Sequence, residues 1–205
     1  MATGADAFEA IVLAAGSGAR FGGGKLLAPF GDGVLLDGAL AAAFAAPVSR
    51  VILVTGARGE AVEAAARAYA QRAGEDRLLI VHAEDHAEGM GASLRRAAAE
   101  LSPGCAGVFV FLGDMPRVPA AVLAPLAAAV RAGAPAAAPV FQGQRGHPAL
   151  IGASLLPQLA TLHGDAGARA ILKDLGPRLA LVEAADDGVL FDVDTPGDLD
   201  AGPYR

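Results

Sequence analysis

The sequence predicts an α/β fold, a three-layer α/β/α arrangement around a mostly parallel central sheet. Two observations predict it. Short apolar runs at 11–15, 50–55, 78–81 and 107–112 have the length of buried strands, and longer alanine-rich stretches of helix-favouring composition alternate with them. The glycine-rich and acidic positions fall just past these runs, beyond the carboxyl ends of the strands, where open parallel sheets bind their ligands.

Taken in order, the strand at 11–15 gives way to Gly16, Gly18, Gly22, Gly23 and Gly24, which lead to Lys25. Residues 36–46 favour helix and stop at Pro47; 50–55 is the second strand and 59–72 the second helix. The third strand is expected at 78–81, the third helix at 90–100, and the fourth strand at 107–112, ending on Gly113-Asp-Met-Pro116. In the less regular second half a proline opens a helix at 119–132. Short strands at 136–141 and 147–151 flank Gln142-Gly-Gln-Arg-Gly146, and 166–175 is helical. The stretch 190–194 reads as a strand whose Asp192 and Asp194 share one face. Thr195 follows as N-cap, with Pro196 in the first helical position and Asp198 in the first turn.

Composition narrows the function classes. With 205 residues, 54% hydrophobic and 19% charged, the chain is expected to bury one core as a single domain over 1–205. A net charge of −6 argues against a surface that grips the nucleic-acid backbone, so no nucleic-acid partner is expected. Cys105 is alone and is read as inert. The first residues lack the basic segment and apolar run of a signal peptide, and Pro119, Pro125, Arg131 and Pro135 interrupt the longest alanine-rich run. A cytoplasmic chain without a membrane partner is the expectation.

The stretch 11–25 carries the chemistry. Glycines after a buried strand permit backbone angles and close ligand approach that side chains forbid, and successive N–H groups there can face one phosphate. Arg20 and Lys25 add positive charge at the two shoulders of that loop. Neither common phosphate loop fits it. A Walker A loop needs glycine at 19 and Ser or Thr at 26, where the chain has Ala19 and Leu26; a dinucleotide fingerprint needs glycine at 21, which is Phe21. A nucleophile elbow is missing around Ser17, Ser93 and Ser154. A mobile linker would not need a strand before it or spaced cations within it.

Asp114 is the strongest further candidate. A carboxylate at the end of an apolar strand is costly to bury unless it meets a cation, and the neighbouring phosphate loop suggests Mg²⁺. Asp192 and Asp194 supply a second acidic strand end, with Asp192 the favoured ligand and Asp194 nearer the helix start. The run 82–86 lacks the glutamate a zinc-protease helix requires at Ala83, and is read as a solvated loop.

What remains, Leu-Ala-Ala-Gly-x-Gly-x-Arg-x-Gly-x-x-Lys over 13–25, resembles the signature loop of nucleotidyltransferases that activate sugars, isoprenoid precursors and molybdopterin. Together with 50–56, Gly113-Asp-Met-Pro116, Gly146-His-Pro148 and Asp192-Val-Asp-Thr-Pro196 in that order, it resembles the molybdenum cofactor cytidylyltransferases of the molybdopterin nucleotidyltransferase family. The resemblance spans nearly the whole chain; the triple glycine 22–24 departs from it.

The resemblance implies a Rossmann-like fold of the nucleotide-diphospho-sugar transferase type, with a nucleotide-binding half over 1–118 and an acceptor-binding half over 119–205. It implies transfer of CMP from CTP to a molybdopterin phosphate, with Mg²⁺ as cofactor. Lys25, Arg20 and Asp114 become the catalytic set, and Asp114, Asp192 and Asp194 the metal ligands. The nucleotide would meet Leu13, Ala14, Ala15, Gly16, Gly18, Lys25, Thr55, Ser93 and Asp114; the acceptor would meet Arg145, Gly146 and His147. Ser93 is either a base contact or a helix cap. Guanylyl relatives carry glycine where this chain has Ala15, which implies a pyrimidine. A molybdenum hydroxylase or its maturation chaperone is the implied protein partner. GTP or a sugar-directed nucleotide is the alternative within the class, and a non-catalytic module that delivers molybdenum cofactor the alternative outside it.

Overall fold

The computed structural model describes residues 7–16, 18, 21–164 and 167–201. Its elements in chain order are β1 (Phe8–Ala14), β2 (Pro29–Phe30), β3 (Gly33–Val34), α1 (Leu35–Ala45), β4 (Val48–Thr55), α2 (Gly59–Ala73), β5 (Leu78–His82), α3 (Met90–Ala98), β6 (Gly107–Leu112), α4 (Leu123–Arg131), β7 (Ala136–Phe141), β8 (Gln144–Arg145), β9 (Ala149–Gly152), α5 (Leu156–Leu159), α6 (Ala168–Leu175) and β10 (Leu179–Glu183). Among the described residues one eight-stranded sheet runs β10-β7-β9-β6-β1-β4-β5, with β8 paired to β7, and β2 and β3 form a separate hairpin. The β1–β4, β1–β6, β4–β5 and β7–β10 pairs are parallel; β9 runs antiparallel to both β6 and β7. The expected three-layer, mostly parallel α/β class is what the chain adopts.

The two faces follow from alternation along the strands. Phe8, Ala10, Val12 and Ala14 of β1 pack with Phe109 and Phe111 against Leu36 and Leu40 of α1, Val62 and Ala66 of α2, and Leu123 and Leu126 of α4. On the other face Ile11, Ile52, Val54 and Val110 meet Leu94 and Ala97 of α3, Leu159 of α5, and Ile171 and Leu172 of α6. Because β1 lies between β4 and β6, its carboxyl end opens in the middle of the sheet, between two other strand ends. Among the described residues no helix is long and apolar enough to cross a membrane.

Several expected boundaries move. Residues 190–194 form no strand, and Asp192 and Asp194 therefore do not share a strand face. The backbone there bonds to a loop, not to a sheet edge: Val193 N donates to the Asp114 carbonyl at 3.1 Å, while Val193 joins Phe30 and Leu35 in a third apolar cluster. The sheet edge is instead β10, a half-buried run the sequence reading left unassigned. After Pro119 a 3₁₀ turn, Ala120–Val122, precedes α4, and Pro125 falls in the first turn of that helix, where its missing N–H is harmless. The strand expected at 147–151 starts at Ala149, α3 stops at Ala98, and α6 starts at Ala168, with Ala166 outside the described residues.

Candidate active site

Two neighbouring strand ends set the site. Gly113 N, just past β6, donates to the Leu13 carbonyl of β1 at 2.9 Å, and a Cβ on Gly113 would lie 3.0 Å from that oxygen. The glycine holds the two ends together and delivers Asp114 beside the loop that leaves β1. That loop closes through Gly22, Gly23 and Gly24, whose φ values of 83°, 92° and 72° lie in the left-handed region that glycine enters without strain. A short 3₁₀ turn, Lys25–Leu27, follows.

Lys25 then turns back to the strand ends. Its Nζ lies 2.7 Å from Asp114 Oδ2 and 3.7 Å from Asp194 Oδ1, with the lysine side chain only 13% exposed. Asp192 sits in the same electrostatic neighbourhood. Burial raises its carboxyl above the usual aspartate value, and the charges of Asp194 and Asp114 add to that rise against the pull of Lys25. Three aspartates thus surround one lysine, although only Asp114 and Asp194 are within 4 Å of it.

A cavity of about 300 Å³ opens beside this group. Leu13, Ala15, Gly16, Gly18, Lys25, Ser93 and Asp114 of the expected nucleotide set line it. Two of that set do not. Ala14 is buried in the core between strand and helices, and the Thr55 hydroxyl is turned to the Val81 carbonyl (3.5 Å) and His82 Nδ1 (3.3 Å). Arg20 lies outside the described residues. Ser93, 4% exposed, sits in the first turns of α3 with its side chain on the cavity wall.

None of the expected acceptor residues Arg145, Gly146 and His147 lines the cavity. Gly146 N donates to the Pro139 carbonyl at 2.9 Å, and His147 N donates to the Val189 carbonyl at 2.8 Å. The Nδ1 atom of His147 is buried with no hydrogen-bond partner among the described residues, and burial holds its imidazole below the usual histidine value. The Arg117 guanidinium lies 3.8 Å from the centre of the Phe191 ring.

Among the cavity residues that sequence reasoning missed, two carry titratable side chains, His86 and Arg58. His86 was placed in a solvated loop, yet the 3₁₀ turn His86–Glu88 brings its ring onto the cavity wall, against Gly56, where a Cβ would lie 2.6 Å from the imidazole. Arg58, just past β4, also lines the cavity. The available signal was position alone, since both residues follow the carboxyl end of a parallel strand.

Among the described residues no three metal-ligating side chains form a cluster. Mg²⁺ nevertheless fits the donor chemistry, because it takes hard oxygen ligands and commonly uses one or two carboxylates with substrate phosphates and water. Asp114 with Asp192 or Asp194 meets that need.

The chain matches the MobA-like NTP transferase domain over residues 10–181. It belongs to that family. The MobA-like chain is 30% identical to the molybdenum cofactor cytidylyltransferase of Escherichia coli, covering 95% of this chain and 94% of the relative. It is 32% identical to the nicotine blue oxidoreductase of Paenarthrobacter nicotinovorans, over 90% and 91% of the two chains. The crystal structure of the Rv0371c homologue from Mycobacterium sp. strain JC1 superposes with a TM-score of 0.81 at 32% identity, covering 94% of this chain and 93% of that one. Rv0371c of Mycobacterium tuberculosis, solved in complex with manganese, gives a TM-score of 0.70 at 26% identity, over 87% and 88%. The family resemblance read from the sequence is borne out, and the chain is a nucleotidyltransferase of this family.

Proposed function

We propose that this MobA-like transferase moves CMP from CTP to the terminal phosphate of a molybdopterin-type acceptor and releases pyrophosphate. The observation that carries the reading is the Lys25–Asp114 pair, 2.7 Å apart, at the meeting of a glycine loop and an acidic strand end on the wall of a nucleotide-sized cavity. An acceptor phosphate oxygen attacks the α-phosphorus, the new O–P bond forms, and the bond from that phosphorus to the bridging oxygen breaks. The electron pair leaves with pyrophosphate. A phosphate nucleophile is already largely ionised, with a second pKa of about 6, so no side chain must act as base.

The chain's part is positioning and charge. Backbone N–H groups of the loop cradle the phosphates, Lys25 and Arg20 oppose charge on the leaving group, and Arg145, Gly146 and His147 orient the acceptor. When bound on Asp114 with Asp192 or Asp194, Mg²⁺ supplies charge neutralisation between nucleotide phosphates. A manganese complex of a related structure supports a divalent ion here. In this reading residues 1–118 serve the nucleotide and 119–205 the acceptor, the setting is cytoplasmic, and the product passes to a molybdenum hydroxylase or its maturation chaperone.

Incubating the protein with CTP, Mg²⁺ and molybdopterin cofactor, then identifying the product by mass, tests the reading. A cytidine dinucleotide of the pterin with stoichiometric pyrophosphate is expected. GTP-only turnover, CTP binding without turnover, or reduction of a quinone-type dye by a nicotinamide cofactor without nucleotide transfer would each overturn it.

A further inference from the structure

We infer that Arg58 grips the β- and γ-phosphates of the bound nucleotide and stabilises the pyrophosphate as it departs. The inference rests on the nucleotidyltransferase reading with CTP as the nucleotide, and not on the acceptor.

Three observations carry it. The first is placement. Arg58 lines the cavity, and a Cβ built on Gly24 would lie 3.5 Å from Nη1, one on Gly23 3.5 Å from Nη2. The guanidinium therefore lies over the last glycines before Lys25, at ordinary contact distance from where their Cβ atoms would be. The second is charge. Lys25 is committed to Asp114 and Asp194, and Arg67, Arg72 and Arg77 each have a carboxylate within 2.9 Å. Arg58 lines the cavity with no carboxylate on its guanidinium among the described residues. An incoming triphosphate adds negative charge beside Asp114, Asp192 and Asp194, and Lys25, already paired with two of these carboxylates, leaves part of that charge for a further cation to meet.

The third observation is backbone. Arg58 holds φ 58° and ψ 33°, a left-handed conformation in which glycine is preferred and arginine is strained. Its side chain makes no cap hydrogen bond to the helix that starts at Gly59. Strain kept on a cavity wall is consistent with a side chain retained for its ligand. A planar guanidinium suits the task, since it donates two parallel N–H bonds to phosphate oxygens and stays charged throughout. As the bond between the α-phosphorus and the bridging oxygen breaks, the electron pair moves onto pyrophosphate, and those donors meet the charge that develops.

Because glycine suits this backbone, Arg58→Gly removes the guanidinium without harming the fold. Its thermal midpoint is expected to equal or exceed that of the parent. With Mg²⁺ present, inhibition by pyrophosphate and KM for the triphosphate are expected to weaken tenfold or more, while inhibition by CMP, which lacks both outer phosphates, stays within twofold. Arg58→Lys should fall between, keeping charge but not the fork. Unchanged pyrophosphate inhibition in Arg58→Gly, or equal loss for CMP and pyrophosphate, overturns the assignment to Arg58 and leaves the nucleotidyltransferase reading intact. Absence of any triphosphate or pyrophosphate binding by the parent overturns both.

Discussion

Ala15 stands just past β1, at the carboxyl end of the strand and on the cavity wall. Ala15 is 5% exposed, belongs to the apolar cluster on the α3 face and lines the cavity, and its carbonyl accepts from Ala57 N at 3.3 Å. In the proposed reading the base lies against this residue, and CTP is expected to outcompete GTP. A steric clash there commonly costs ~1–3 kcal/mol, which is roughly 5- to 150-fold in relative specificity. Ala15→Gly should raise kcat/KM for GTP while CTP remains a substrate; a ratio that does not move would remove the steric basis for pyrimidine choice. His147 supports a second residue-scale expectation. Burial lowers its folded-state pKa from the ordinary 6.5, with the Arg145 charge in the same direction and the Val110 carbonyl and Asp114 opposing. The unfolded chain therefore takes up the proton at higher pH than the folded one. Stability from the neutral imidazole is complete above about pH 6.5 and declines as pH falls from there toward the lower folded value. His147→Asn should flatten the fall of the thermal midpoint between pH 7 and 5, and parallel profiles for variant and parent would refute the assignment.

The element beside Asp114 is the strap 187–193, of which the sequence presents the part from 190 as a strand. It is held between two loops. His147 N reaches the Val189 carbonyl at 2.8 Å, Val193 N reaches the Asp114 carbonyl at 3.1 Å, and Asp186 Oδ1 accepts from Gly188 N at 2.9 Å. Contact is tight enough to require glycine twice: a Cβ on Gly188 would lie 2.2 Å from the Arg117 carbonyl, and one on Gly146 2.2 Å from the Val189 carbonyl. Just beyond, Asp198 Oδ2 accepts from Asp194 N, Thr195 N and the Thr195 hydroxyl, which sets the direction of Asp194. Gly188→Ala should therefore destabilise the fold by about 1–3 kcal/mol and loosen the backbone bonds that hold the strap to His147 and Asp114. Denaturant unfolding gives the first quantity, and faster amide exchange at His147 and Val193 reports the second. Unaltered exchange at both would show that the strap tolerates a side chain at 188.

For the whole molecule, stability and chemistry are separated along the strands. At the amino ends Glu9, 1% exposed, accepts from Arg50 Nη2 at 2.9 Å and from Ser102 N at 3.2 Å, and Arg50 also donates to the Glu100 carbonyl. These contacts tie β1 and β4 to the turn before β6. Glu9→Ala would leave the Ser102 N–H unpaired, a loss of about 1–3 kcal/mol, tempered on the Arg50 side by its partial exposure. The carboxyl ends carry the cavity, so kcat per folded molecule is expected to stay at the parental value. Equal stability of variant and parent, or a lowered kcat at full folding, would contradict that separation.

The sequence by itself determined the layers and the loop. Runs such as 50–55 and 107–112 are apolar enough to be buried on both faces, and the glycines between Gly16 and Gly24 admit backbone angles that few other residues tolerate. Both are local properties, legible without knowing any partner. The antiparallel insertion of β9, the edge position of β10 and the placing of 190–194 against a loop depended on which backbone groups remained unpaired after the sheet formed. Those are contacts between residues far apart in the chain. The same holds within the site. Lys25 and Asp114 stand out as residues, but their 2.7 Å pairing, the turning of Thr55 away from the cavity and the arrival of Arg58 and His86 on its wall were decided by packing. Side-chain direction at a strand end is set by the neighbouring strands and loops, and no periodicity in the chain encodes them.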